Sequence, residues 1–308
     1  MTFFRPIDRI DNSVPESAET AATDFKSKWM IIDGALIVED AQQILINQFV
    51  NQHEHAEFRN LFVNTKWKEV LDVAPMLVSY HPDIEAWAQS KAPWRFGLVF
   101  ESNASLEELV EHWHRLIHCQ HVGLEGSLSR LYDPIALYHL LKATEEARQV
   151  AWLGPMSKIW LPDYVDNRYF YAERPEVSDV ALLEQTQFTD PEWQGLTDAK
   201  RYASAYRLTQ HVDKHFPDYW HGKDSKQQHV IEQLKKLESL EQVTQKDATC
   251  YMNILCRLGD IWHSESPHKD IVAILEDKLQ PIEDRLQEAN LQALEFELEQ
   301  RNNKEVTA

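Results

Sequence analysis

Between Arg95 and Ile117 the chain reads Arg-Phe-Gly-Leu-Val-Phe-Glu-Ser-Asn-Ala-Ser-Leu-Glu-Glu-Leu-Val-Glu-His-Trp-His-Arg-Leu-Ile, and this stretch limits the fold more than any other. Phe96 to Phe100 is apolar throughout, as a strand covered on both faces requires. Ser105 and Glu108 then stand at capping-box spacing, where the hydroxyl and the carboxylate satisfy free N–H groups of a first helical turn. Leu106, Leu109, Val110, Trp113, Leu116 and Ile117 recur at helical period, so that helix buries one stripe. A two-sided strand followed at once by a one-sided helix calls for a sheet with helices packed against it.

The neighbouring segments agree. Trp29-Met30-Ile31-Ile32 is a short apolar run ending at the turn signal Asp33-Gly34, and a helix follows with Ala41, Ile44, Leu45 and Phe49 on one face. Arg59–Val63, Met76–Tyr80 and Ser127–Tyr132 read as strands, with Gly123 and Gly126 interrupting the chain before the last. Asp133-Pro134 starts another helix: Asp caps it, and Pro is tolerated at the first position because its missing N–H has no partner there anyway. Leu137, Leu140, Leu141 and Thr144 continue its face. After Pro162 the texture turns to Gln, Glu, Lys and Leu, with helical spacing in Ala199–Phe216, Gln227–Leu240, Ala248–Trp262 and Ile271–Leu279. A last helix opens at Pro281 and carries Ile282, Leu286, Ala293 and Phe296. The reading is an α+β (α/β-layered) lobe over 25–162, with a mixed sheet flanked by helices. A mobile arm over 1–24 precedes it and an all-α lobe over 163–308 follows. A chain of 308 residues buries enough surface to need neither disulfide nor metal.

The formal charge of −19, from 50 acidic and 31 basic residues, deprives nucleic-acid binding of its usual driving force. It disfavours anionic membranes and favours basic partners. No apolar run reaches the ~20 residues that span a bilayer, and the N-terminus lacks a signal-peptide core. Cys119, Cys250 and Cys256 are odd in number and form no CxxC, which fits a reducing compartment, the cytoplasm.

Phosphate loops, nucleophile elbows and dinucleotide fingerprints are missing. Histidine offers the one chemical cluster. His112, His114, His118 and His121 crowd the capped helix, and His211 and His215 repeat the four-residue spacing. Such imidazoles can share a metal, yet His112 and His114 point to different sides and neither pair has the Glu of HExxH. The expectation is no metal, no cofactor and no catalytic residue. Trp152, Trp160, Tyr164, Tyr169, Phe170 and Tyr171 crowd the lobe junction, either as core or as an exposed binding groove.

Several segments resemble a known family in order. They are Ile31-Ile32-Asp33-Gly34-Ala35, Leu71-Asp72-Val73-Ala74-Pro75-Met76-Leu77-Val78, Arg95 to Ser102 around Gly97, Ser129-Arg130-Leu131-Tyr132-Asp133-Pro134, and Trp152-Leu153-Gly154-Pro155. Together with Leu106-Glu107-Glu108-Leu109 they resemble the type VI secretion adaptor-chaperones, the Tap or Tec proteins, from about Trp29 to Pro162. Ile135 departs from the pattern, standing where many members have Arg. The resemblance implies a non-catalytic cytoplasmic protein of a Gram-negative bacterium. It would bind a cognate secreted effector and load it onto the VgrG-type spike protein without being secreted itself, with no nucleic acid, membrane or small-molecule substrate as partner. The signature residues are Asp33, Gly34, Pro75, Gly97, Arg130, Tyr132, Asp133, Pro134, Gly154 and Pro155. From the residues alone, Asp133 caps a helix, and Arg130 either bonds a carboxylate or meets a partner. Two rivals remain open: an immunity protein masking a toxin, and a metal-dependent hydrolase using His114 and His118.

Overall fold

The structure is a computed structural model that describes residues 5–7, 27–37, 40–49, 51, 56–119, 128–175, 187–222 and 225–306. It falls into two compact units, Met1–Ala199 and Lys200–Ala308.

The first unit is built on a seven-stranded sheet. Its strands are β1 (Arg5–Ile7), β2 (Ser27–Asp33), β3 (Phe58–Asn60), β4 (Pro75–Ser79), β5 (Gly97–Ser102), β6 (Lys158–Asp163) and β7 (Arg168–Glu173), in the order β1-β7-β6-β5-β2-β4-β3. Helices α1 (Ala41–Gln48), α2 (Pro82–Lys91), α3 (Leu106–Ile117), α4 (Pro134–Ala143) and α5 (Glu146–Leu153) come between strands in the chain. Central β2 buries Trp29 through Asp33, and all six residues of β5 are buried, the two-sided strand its composition demands. The capping box of α3 forms as its spacing predicts: Glu108 N–H donates to Ser105 Oγ at 3.3 Å and Ser105 N–H donates to Glu108 Oε2 at 2.8 Å. Leu106, Leu109, Trp113, Leu116 and Ile117 are buried on one stripe.

The α+β class stands, but the sheet is antiparallel at every pairing rather than mixed. Strand–helix–strand alternation suggested parallel neighbours. Here β4 and β5, joined through α2, do run parallel, yet β2 lies between them and is antiparallel to both. It is a split βαβ unit, in which the crossover reaches past one strand. The described part of Ser127–Tyr132, from 128 on, is not a strand. Among its described residues, Leu131 and Tyr132 lie in a turn that leads into α4. The run Arg59–Val63 is extended only at its start, as Leu61 to Asn64 turn away from β3.

The sheet also continues past Pro162. Strands β6 and β7 form a hairpin, pairing Trp160 with Tyr171 and Asp163 with Arg168, so the units divide at Ala199 rather than near 162. Arg5–Ile7, inside the stretch expected to be a mobile arm, pairs with β7; the rest of 1–24 lies outside the described residues.

The second unit is helical among its described residues. Helix α6 (Asp190–His215) begins in the first unit and runs into the second, followed by α7 (Lys226–Leu240), α8 (Gln245–Leu258), α9 (Lys269–Glu276) and α10 (Ile282–Val306). Leu208, Val212, Val230, Leu234, Tyr251, Leu255, Leu275 and Leu286 share its core. Buried Arg285 is held there by donating to the Leu275 carbonyl at 2.6 Å and to Glu241. No helix among the described residues is long and apolar enough to cross a membrane.

Gly97 ties β5 to β2. Its φ is +137° and an added Cβ would lie 1.9 Å from the Ile31 carbonyl oxygen, so a side chain meets both backbone strain and unyielding backbone. Gly97→Ala is expected to cost roughly 3 kcal/mol or more, read as a fall in the urea midpoint.

Candidate functional site

Four of the signature segments meet at one end of the sheet. Register places Asp33, the last residue of β2, opposite Pro75, the first of β4, and Ile32 opposite Gly97, the first of β5. The Asp33 N–H donates to the Phe96 carbonyl at 2.7 Å, which closes the strand end. Gly34 follows because the chain passes against the backbone before Pro75: a Cβ there would stand 2.3 Å from the Ala74 carbonyl oxygen.

Arg130 completes this group. Its guanidinium Nη2 donates to Asp33 Oδ2, across 97 residues of sequence. The other oxygen of Asp33 accepts from Ala35 N–H at 3.1 Å. The Asp33 side chain is 1% exposed and that of Arg130 45%, so the pair is a buried acid latched by a base with one edge open to solvent. Burial pushes the Asp33 carboxyl above its ordinary range, and the charge and hydrogen bond of Arg130 pull against that rise. Burial alone would lower the Arg130 guanidinium, but Asp33 and its neighbours raise it. Of the two readings open for Arg130, the carboxylate bond is the one formed, and its acceptor is Asp33 rather than the adjacent Asp133.

The rest of that signature starts α4. Asp133 Oδ1 accepts from Ile135 N–H at 3.0 Å and Ala136 N–H at 3.1 Å, with Pro134 at the first helical position. Tyr132 is buried, its ring centroid 5.6 Å from the Arg130 guanidinium carbon. Ile135, the position noted above as a departure from the resembled pattern, is buried as well.

Gly154 and Pro155 form a second group, at the end of α5. Gly154 has φ +53°, and a Cβ would lie 2.2 Å from Cε1 of His112. His112 Nε2 sits 3.1 Å from the Trp152 carbonyl, and the Pro155 carbonyl accepts from Ser102 Oγ at 2.8 Å. His112 is therefore a wedge between α3 and the turn after α5. Burial first, then the nearby Arg115 charge, lowers its pKa to about 4, so it is neutral at pH 7.

His118 and His211 are also engaged by the protein. His118 Nδ1 lies 2.7 Å from the His114 carbonyl and its ring packs on Trp67 with centroids 4.8 Å apart. His211 Nε2 lies 2.8 Å from Asn253 Oδ1. His121 lies outside the described residues. Among the described residues no group of three or more His, Cys, Asp or Glu is placed to hold a metal ion. Of the aromatic residues read as core or groove, Trp152, Trp160, Tyr164, Tyr169 and Phe170 are buried, which is the core reading.

Glu192 escaped the sequence reading. Its side chain is 1% exposed and accepts from Arg148 Nε and Nη2, both at 2.8 Å, from Trp152 Nε1 at 2.7 Å and from Thr189 N–H at 2.8 Å. Burial would raise this carboxyl, but those donors outweigh it and hold the pKa below the ordinary value. The available signal was Thr189 three residues before Glu192, a capping-box spacing at the head of α6.

Residues 29–151 match the family model described as Domain of unknown function (DUF4123). Over 195 residues the chain is 24% identical to the accessory protein VasW of Vibrio cholerae serotype O1, covering 62% of this chain. The match spans 61% of that relative's length. No solved structure gives a significant match.

Two outcomes test these assignments. Arg130→Met strands the buried Asp33 carboxylate and is expected to lower stability by about 2 kcal/mol at pH 7, less than for a fully buried pair because Arg130 is half exposed. Asp33→Asn in that background restores much of the loss, since the amide oxygen still accepts from Ala35, and a double-mutant cycle by urea unfolding measures the coupling. For His112, a pKa lowered on folding means stability is full above the unfolded value of 6.5 and is lost as pH falls towards about 4. Between pH 7 and pH 5 that loss is about 2 kcal/mol. In His112→Gln the acid-dependent fall in the unfolding free energy from urea titrations shrinks by that amount.

Proposed function

We propose that the protein is a non-catalytic adaptor-chaperone of the type VI secretion kind, a reading supported by the match of residues 29–151 to the DUF4123 family model. It holds a cognate secreted effector in the cytoplasm and loads it onto the VgrG-type spike protein, and is not itself exported. The observation that carries this reading is the family match over 29–151, which covers most of the stretch whose motifs resemble the adaptor-chaperones. Similarity to a curated accessory protein supports it.

The geometry of the signature is consistent with binding rather than turnover. Asp33 accepts from Arg130 and Ala35, Asp133 from the first turn of α4, and His112 lies at the Trp152 carbonyl, so each has a stated role in holding the fold. Arg130 keeps an edge in solvent, where a partner carboxylate or backbone carbonyl can reach it. The net charge of −19 favours a basic segment of the partner.

The test is co-expression with the effector gene adjacent to this one. A complex should co-purify, and truncation should map the contact to the effector's delivery region. Contact mapped to the toxic domain instead would make the protein an immunity factor, and unchanged effector stability and spike association on deletion of this gene would reject the adaptor reading.

A further inference from the structure

Helix α10 has two unlike faces. Ile282, Leu286, Ala289 and Ala293 are buried on the inner one, where Arg257 of α8 also reaches Asn290 at 2.8 Å and Glu297 at 3.1 Å. Phe296 is engaged on the same side, its ring 4.6 Å from that of His268. On the opposite side Leu291, Leu294 and Leu298 remain 61%, 37% and 49% exposed. At 3.6 residues per turn these three fall within a sector of about 60°, centred roughly 140° round the helix from the buried stripe. They are one continuous apolar strip, bordered along one edge by exposed Glu288, Glu295 and Glu299.

Exposed leucines scattered singly call for no explanation, but three at i, i+3 and i+7 are the spacing by which one helix seats another. The acidic border selects the occupant. A second copy of this chain would bring the same glutamates and the same charge of −19 against itself. A helix with apolar residues on one face and Lys or Arg beside them satisfies both the leucines and the glutamates.

We propose that the outer face of α10 docks a basic amphipathic helix of the partner protein, with Leu291, Leu294 and Leu298 as anchors and Glu288, Glu295 and Glu299 setting its sign and orientation. That the partner is the effector rests on the adaptor reading; the strip itself is testable without it. The leucines supply contact area and the glutamates steer the encounter, so association through this strip slows as salt rises.

The probe is a fluorescent synthetic helix of about 18 residues with leucines at i, i+3 and i+7 and lysines beside them, long enough to hold helical structure. A control peptide has glutamate in place of lysine. Anisotropy with the full chain should show saturable binding of the lysine peptide and none of the control. Leu291→Ser/Leu294→Ser/Leu298→Ser leaves net charge unchanged, so a loss of roughly tenfold or more in affinity assigns binding to the strip and not to bulk acidity. Circular dichroism should show this variant folded, because the positions are exposed. Should it unfold, Glu288→Lys/Glu295→Lys/Glu299→Lys must reverse the preference between the two peptides. Absence of binding, equal affinity in the leucine variant or equal affinity for both peptides overturns the proposal. A homodimer in sedimentation that the leucine variant abolishes also overturns it, by giving the strip to a second copy. None of these results bears on whether the effector co-purifies, so the adaptor reading survives or fails separately.

Discussion

A carboxylate buried at the end of a central strand organises the first unit. Asp33 is removed from water, and an isolated charge there would be costly, so the chain must bring a cation to it. Arg130 does so from the turn before α4, and that bond fixes where the segment after α3 returns to the sheet. Once the strand end is set, Gly34 and Gly97 follow: backbone from Ala74 and from Ile31 approaches too closely for any side chain. One electrostatic requirement and two close approaches thus bring together residues spread over a hundred positions.

This explains which parts of the fold were legible in sequence. Strand β5, the capped helix α3 and the Asp133-Pro134 start of α4 are local: composition, spacing and caps decide them within a dozen residues. The long helices after Lys200 show their period in the same way. The β6–β7 hairpin was not read, because Trp160, Tyr169 and Phe170 looked like a cluster of rings and Pro162 like a boundary. In the structure Pro162 sits inside β6, and Asn167, at φ +51°, makes the turn. The antiparallel sheet was hidden for another reason. Inserting β2 between β4 and β5 is a non-local choice, and no periodicity encodes it.

The candidate site was half legible. Motif order marked the residues, and the chemistry of Asp133 and Arg130 could be anticipated from type alone. Their convergence could not, since Asp33 as the acceptor of Arg130 depends on the tertiary path. Glu192 was missed because a buried acid that accepts five hydrogen bonds looks, in sequence, like any acid near a helix start. The histidines show the converse. A cluster that suggested metal turns out to contain a neutral wedge, His112, whose ring fills the space a side chain at position 154 would need.

The signature therefore describes how a scaffold is held, and a fold-level resemblance does not by itself locate a binding surface. The central claim is that the protein acts by holding its effector in stoichiometric amounts. The most direct measurement deletes the gene, restores it under a titratable promoter and follows effector abundance against adaptor abundance in the same cells. The account predicts that effector level rises in proportion to the adaptor and levels off near molar equivalence. Full recovery of the effector at trace amounts of the protein, as a catalyst would give, contradicts it.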